Sequence, residues 1–131
     1  MSSFDAELLA RQLSQLGRDL DSEVAVLGEL EEQAADAEGA YRAMKAAYDD
    51  CVDRTFLNAE GIADVRKAEA RLLCVSQRAL MHEANLEWDR AKGRVFTQQA
   101  NLQALHKRCE IGRSLLSREK SLLSLAGIGE T

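Results

Sequence analysis

The sequence predicts an all-α fold, a long helical hairpin with coiled-coil seams that assembles into an oligomeric helical bundle or ring. The chain of 131 residues contains no proline, so no position forces a helix to break. Aromatic residues make up only 5% and charged residues 30%, and the apolar residues are mostly Ala and Leu, a composition typical of long helices. Because such helices bury a thin seam, we expect oligomerisation to supply much of the burial.

The first arm, residues 4–57, carries a sustained heptad pattern. Two lines of seam residues recur every seven positions: Ala6, Leu13, Leu20, Leu27, Ala34, Tyr41 and Tyr48, and then Leu9, Leu16, Glu23, Leu30, Ala37, Met44 and Cys51. Only Glu23 is badly placed in an apolar seam. About seven repeats in register indicate a coiled coil. Gly17 is the predicted place for a bend or a break, because glycine weakens a helix.

A turn is predicted over residues 58–63, where Asn58-Ala59-Glu60-Gly61 ends the first arm. Asp64 is then the predicted N-cap of the second arm, residues 64–124. Its apolar residues follow two patterns: Val65, Ala68, Leu72, Val75 and Ala79, and then Trp88, Val95, Leu102, Cys109, Leu116 and Leu123. The register therefore changes between Leu86 and Trp88, and His82 is predicted to pack on the first pattern. Residues 125–131 should fray.

Subunit association is assigned to the seam leucines. They are Leu13, Leu20, Leu27, Leu30, Leu102, Leu105 and Leu116. The three cysteines, Cys51, Cys74 and Cys109, are odd in number and far apart, which suits buried roles in a reducing cytosol better than disulfides. The chain shows neither a secretory signal nor about 18 consecutive apolar residues. We therefore expect a cytoplasmic protein that does not cross a membrane.

Charge is distributed unevenly about a net value of -5. Residues 1–64 carry 15 acidic and 5 basic side chains, a net charge of -10, whereas residues 65–131 carry 7 acidic and 12 basic side chains, a net charge of +5. The split indicates either an anion-binding second half or two halves that attract each other. The two interpretations are about equally supported by the sequence.

No catalytic or metal-binding arrangement is recognisable in the sequence. The two histidines, His82 and His106, have no ligand-like neighbours, and no glycine-rich phosphate loop is present. We expect no enzymatic activity, no metal and no cofactor. Lys92, His106, Arg113 and Lys120 lie on one seven-residue line beside the seam, where they could neutralise phosphates or form an ordinary solvated or ion-paired face. Tyr41 and Trp88 could stack on bases, although packing in the seam is the favoured interpretation.

Two stretches resemble a known family. They are the Lys/Ala/Tyr-rich segment 38–48, EGAYRAMKAAY, and the segment 102–115, LQALHKRCEIGRSL. Over roughly residues 34–120 the chain resembles phage recombination mediator proteins of the UvsY type. The resemblance implies a ring-forming protein of the host-cell cytoplasm that binds single-stranded DNA. It also implies loading of a RecA-like recombinase onto strands coated with single-strand-binding protein. Lys45 matches the first of two cations in the family's DNA-contacting motif, and Ala47 stands in place of the second.

A nucleic-acid interface is therefore predicted on the basic side chains. Its residues are Arg42, Lys45, Arg66, Lys67, Arg71, Lys107, Arg108 and Arg113. The alternative is a coiled-coil scaffold, assembly factor or inhibitor that acts only through protein-protein contacts. In that case the acidic first half would be the recognition surface.

Overall fold

The computed structural model describes the backbone of residues 3–129 and the side chains of residues 5–125. This part of the chain folds into three helices and no strand: α1 (Ser3–Asn58), α2 (Ala63–Leu73) and α3 (Val75–Gly129). The prediction of an all-α helical hairpin is confirmed. Helix α1 runs through Gly17 without the predicted break, since one glycine costs only about 1 kcal/mol of helix stability. Helix α3 extends past the predicted end at residue 124, and residues 130–131 of the predicted frayed tail lie outside the described residues.

The chain divides into two compact units. Unit 1 comprises Met1–Gly28 with Phe96–Thr131, and unit 2 comprises Glu29–Val95. In both units the predicted seam positions of α1 are at least partly buried, from Ala6 to Cys51. In unit 1 two antiparallel helical segments pack closely at Gly112. A Cβ atom there would stand 3.2 Å from Leu13 Cδ1, so the glycine lets Leu13 reach the facing helix.

Glu23 is accommodated in the seam by a polar partner within unit 1. Gln98 on α3 is only 6% exposed. Its Nε2 donates hydrogen bonds to Glu23 Oε2 at 2.6 Å and to the Glu23 carbonyl oxygen at 2.9 Å. Buried polar groups are tolerated when they are hydrogen-bonded. The glutamate that looked misplaced in the apolar pattern is therefore one half of a polar layer.

Replacing Gln98 with Leu should lower the free energy of unfolding by about 1–3 kcal/mol, because the Glu23 carboxylate then loses its donor inside the seam. Adding Glu23→Leu should recover most of that loss, since replacing both partners by apolar groups can be nearly neutral. Urea unfolding followed by circular dichroism measures both changes. Equal stability of Gln98→Leu and the wild type would contradict the importance of this layer.

In unit 2 the seam is continued by stacked aromatic rings. The ring centroids of Tyr41 and Trp88 are 5.5 Å apart with an interplanar angle of 26°, and both side chains are half-buried. The favoured interpretation of these two residues as seam packing is confirmed. Aromatic pairs at this spacing contribute beyond simple area burial.

The start of the second arm buries a different face from the one predicted. The shielded residues are Ala70, Cys74, Gln77, Met81, Ala84, Asn85, Trp88 and Ala91. They continue the Trp88 line backwards in one register, so the predicted change between Leu86 and Trp88 is wrong. Val65, Ala68, Leu72, Val75 and Ala79 are exposed. His82 is also exposed and accepts a hydrogen bond from Arg78 Nε at 3.3 Å, so its predicted packing role is wrong.

The turn lies at the predicted residues, but the N-cap of the helix that follows it differs from the prediction. Gly61 adopts φ +108°, a conformation that glycine reaches without the steric cost of a side chain. The N-cap of α2 is Ile62, in an extended conformation without a side-chain cap. The prediction of Asp64 as N-cap is therefore wrong. Asp64 lies in the first turn, where its charge favours the helix dipole.

The cysteine prediction is wrong for two of the three residues. Cys51 and Cys74 form a disulfide within unit 2, with Cα atoms 6.0 Å apart, inside the usual range. The two cysteines occupy seam positions that face each other, so residues far apart in the sequence lie side by side in the fold. Thr55 Oγ1 lies 3.7 Å from Cys74 Sγ. Cys109 is free and buried, as expected.

The disulfide should stabilise the protein by about 3 kcal/mol, the amount expected for closing a loop of this length, since the bridged residues are 23 apart. Urea unfolding with and without dithiothreitol measures the difference, and a Cys51→Ala/Cys74→Ala variant should be insensitive to the reductant. Alkylation of the urea-unfolded protein should label only Cys109. Three labelled thiols on protein isolated under thiol-trapping conditions would show that the bond does not form in the cell.

Candidate nucleic-acid interface

Four exposed cations of unit 2 are neutralised by neighbours on their own helices. The pairs are Arg42–Glu38 at 2.7 Å, Arg54–Asp50 at 3.1 Å, Arg90–Glu87 at 2.8 Å and Lys92–Asp89 at 3.2 Å. Lys92 Nζ also lies 4.0 Å from the centroid of the Trp88 ring. Exposed pairs of this kind contribute little stability, but each places a carboxylate where a phosphate would have to bind.

The cations of α3 in unit 1 are arranged differently. All five are exposed and lie outside the buried seam. They are Lys107, Arg108, Arg113, Arg118 and Lys120. Among the described residues none of them has a carboxylate partner. Of the two carboxylates on this stretch, Glu110 pairs with His106 at 3.2 Å, and Glu119 is only 6% exposed, with its Oε2 buried and without a hydrogen-bond partner. Positive charge on this segment is therefore available to a ligand.

One open groove of unit 1, here called the Arg113 groove, combines cations with hydroxyl groups. It is lined by Leu13, Arg113, Leu116, Ser117, Lys120, Ser121, Ser124 and Leu125. Arg113 and Lys120 are seven residues apart, about 10 Å along a helix. Guanidinium, ammonium and hydroxyl groups are the side chains that contact phosphate oxygens. The groove therefore offers two separate cationic positions with serine donors between and beside them.

Arg108 lines a second groove of unit 1. The other lining residues are Asp19, Ser22, Glu23, Asn101, Ala104 and Leu105. Two carboxylates lie on the same groove, so it is less favourable to an anion than the Arg113 groove. Lys107 is exposed on the neighbouring surface of α3. The three α3 residues predicted to contact nucleic acid therefore share a helix but not a single groove.

In unit 2 the residue matched to the family motif lies on an aromatic groove. Lys45 lines it together with Tyr41, Arg42, Ala46, Asp49 and Trp88. Lys45 has no ion-pair partner among the described residues, whereas Arg42 is held by Glu38. Both aromatic rings are partly used in stacking on each other. The groove can offer a phosphate contact at Lys45.

Arg66 has a structural role. Its Nε and Nη2 donate hydrogen bonds to the Phe56 carbonyl oxygen at 3.1 and 2.7 Å, and its guanidinium lies 4.4 Å from the centroid of the Phe56 ring. It therefore satisfies a carbonyl near the end of α1, one of those that a helix leaves without a partner. Lys67 and Arg71, predicted beside it, are exposed and have no ion-pair partner among the described residues.

The serines of the Arg113 groove are not among the predicted site residues. Ser117, Ser121 and Ser124 follow Arg113 at intervals of four, eight and eleven residues, which is the spacing of one helix face. That spacing was the signal that could have identified them. Lys120 was predicted to lie on the same seven-residue line as Arg113, and both residues line this groove.

Other kinds of site have little support in the described part of the chain. No group of three or more His, Cys, Asp or Glu side chains there could hold a metal ion. None of its helices contains an apolar stretch long enough to cross a membrane. Comparison of the chain with protein-family models, with curated proteins and with solved structures finds no match.

Proposed function

We propose that this protein binds single-stranded DNA through the cations of α3 and acts as a recombination mediator of the UvsY type. The observation that carries the proposal is the set of five α3 cations without carboxylate partners. Four of the nine exposed cations of unit 2 are paired with carboxylates, whereas none of the five on α3 of unit 1 is. Residues 96–125 contain five Lys or Arg against two Asp or Glu.

Binding by this segment depends on charge and not on base sequence. Lys and Arg contacts to phosphates release condensed counterions, which makes affinity fall as salt rises. A bound strand would follow the basic side chains of α3, and Lys45 beside Tyr41 and Trp88 would supply a separate phosphate contact in unit 2.

Fluorescence anisotropy with a labelled oligo-dT tests the proposal directly. We expect binding at about 50 mM salt, with the logarithm of affinity falling by about 0.7 per phosphate contact for each tenfold rise in salt. A labelled oligo-dC should bind with similar affinity, because phosphates carry no sequence information. Absence of binding at about 50 mM salt would contradict the proposal.

The mediator role requires more than one DNA contact per particle. The proposal therefore includes a homo-oligomer, in which repeated modest contacts act together through effective concentration. Its protein partners would be a RecA-like recombinase and single-strand-binding protein. Adding the protein to strands coated with single-strand-binding protein should shorten the delay before the recombinase assembles.

A protein-binding scaffold is the second candidate. The observation that favours it is the exposure of large apolar side chains in unit 2, including Leu57 at 74%, Ile62 at 70% and Leu72 at 74%. Such side chains mark protein-protein surfaces when they are contiguous. The oligo-dT measurement separates the two candidates, because a scaffold acting only through proteins does not bind the oligonucleotide.

A further inference from the structure

Helix α2 buries little of its surface against the rest of unit 2. Of its 11 residues, only Arg66 and Ala70 are shielded from solvent. Arg66 holds the Phe56 carbonyl oxygen across the turn, and Ala70 supplies the buried side chain of the helix. Segments with few buried apolar contacts open locally at a low cost in free energy. Packing alone therefore holds α2 weakly.

A covalent bond holds the C-terminal end of α2. Cys74 is the C-cap of this helix, with a backbone conformation (φ −103°, ψ 17°) outside the helical range, and its disulfide partner Cys51 lies on α1. The bond ties the end of α2 to α1, while the turn ties the start of α2 to the same helix. Cys51 is partly exposed and Cys74 is buried, so Cys51 is the more accessible of the two to an attacking thiolate.

The surroundings of the bond suit the reduced state as well as the oxidised state. Thr55 Oγ1 donates a hydrogen bond to the Cys51 carbonyl oxygen at 2.7 Å, so only its lone pairs remain for Cys74 Sγ, which lies 3.7 Å away. A disulfide sulfur has no proton to donate to these lone pairs, but a thiol does. Reduction therefore turns the contact into a hydrogen bond from the Cys74 thiol to Thr55.

We propose that the Cys51–Cys74 disulfide is a reversible redox latch, built for both states, that controls the local opening of α2. A dithiol is the reductant. One of its thiolates attacks Cys51 Sγ, the S–S bond breaks, and Cys74 leaves and takes up the proton that the attacking thiol lost. The second thiol of the reductant attacks the mixed disulfide, which releases the Cys51 thiol and leaves the reductant oxidised. The reverse exchange with an oxidised dithiol closes the latch.

Opening of α2 changes which charged groups a ligand can reach. In the closed state Lys67 and Arg71 are exposed, whereas Arg66 is held by the Phe56 carbonyl oxygen. Release of the helix frees Arg66 as well, so three cations become available on one segment. The latch goes beyond the proposed DNA binding and does not depend on it.

Amide hydrogen exchange of the oxidised and the dithiothreitol-reduced protein, measured by mass spectrometry of peptides, tests the latch. We expect residues 64–73 to exchange on the order of 10-fold faster after reduction, a part of the roughly 100-fold that closing a loop of 23 residues can contribute. Cys51→Ala/Cys74→Ala should exchange at the faster rate with or without dithiothreitol. Cys109→Ala is the matched control and should respond to the reductant as the wild type does.

Three outcomes of this experiment overturn the proposal. The first is unchanged exchange of residues 64–73 in protein whose three thiols have been shown by alkylation to be free. The second is an equal acceleration in residues 5–28 of unit 1, because it would indicate a global loss of stability. The third is a disulfide that dithiothreitol reduces only after unfolding in urea.

Thr55→Val tests the chemistry of the reduced state. The variant removes the acceptor of the Cys74 thiol, whereas its loss of the hydrogen bond to Cys51 affects both redox states equally. In mixtures of reduced and oxidised dithiothreitol, half-reduction should need an about 3-fold higher ratio of the reduced form, the effect of one weak hydrogen bond. Alkylated thiols counted by mass give this ratio. Thr97→Val, on the exposed surface of unit 1, should leave it unchanged, and an unchanged ratio for Thr55→Val overturns the claim that the latch is built for both states.

Discussion

Replacement of Leu27 and Leu30 together with Asp is expected to lower the free energy of unfolding by about 4 kcal/mol or more. Both leucines are half-buried at predicted seam positions of α1. A fully buried leucine contributes about 2 kcal/mol, and a carboxylate without a partner in the seam adds a further penalty. Losses of this size approach the whole stability of a small domain. Urea unfolding followed by circular dichroism measures the change.

Val24→Asp with Val26→Asp provides the matched control for this seam variant. The two valines lie on the same turns of α1 and are 53% and 38% exposed, so the control introduces the same two charges outside the seam. It should change the free energy of unfolding by no more than about 1 kcal/mol, as surface substitutions usually do. Equal losses in the two double variants would mean that added charge and not lost packing destabilises the helix.

Reversal of Lys107 and Arg108 to Glu is expected to weaken binding of oligo-dT on the order of 100-fold at about 50 mM salt. A slope of about 0.7 per phosphate gives roughly 10-fold per contact at that concentration, and two contacts are lost. The slope of log affinity against log salt should also fall by about 1.4. Anisotropy measurements at several salt concentrations give both quantities.

The control for charge reversal is Arg54→Glu with Arg90→Glu. It changes the net charge by the same amount, but both arginines are paired with carboxylates, Asp50 and Glu87. We expect less than a 10-fold loss, due to the long-range field alone. A similar loss in both double variants would show that overall charge and not the α3 cations determines binding.

The α1 seam was predictable from the sequence because one apolar face dominates that arm. At the start of the second arm two apolar faces compete, one with Leu72 and one with Cys74. Periodicity alone does not show which face is buried, because that depends on the side chains of the facing helix. Cys51 and Tyr41 on α1 select the face with Cys74 and Trp88. The disulfide was hidden for the same reason, since it depends on the pairing of two arms.

The basic residues of the candidate interface could be identified from the sequence. Which of them lack a partner within the protein could be predicted only in part. Ion pairs at spacings of three and four residues, such as Glu38 with Arg42, are readable from a helical pattern. Arg66 is different because its partner is the carbonyl group of Phe56 across the turn. No side-chain pattern encodes that contact. The geometry of the turn therefore decides which cations remain for a ligand.

The hydrogen bond between Gln98 and Glu23 also has a consequence for folding. A long seam of repeating apolar residues can slip by one heptad and still bury similar surface, so its alignment is weakly specified by leucines and alanines alone. A slip that placed Gln98 opposite Leu16 would bury the Gln98 amide without a partner and leave the Glu23 carboxylate without its hydrogen-bond donor. Single polar residues in a seam specify alignment in this way at some cost in stability. With the disulfide removed by Cys51→Ala/Cys74→Ala, Gln98→Leu/Glu23→Leu should therefore fold into a mixture of alignments, visible as multiple amide signals for residues of unit 1.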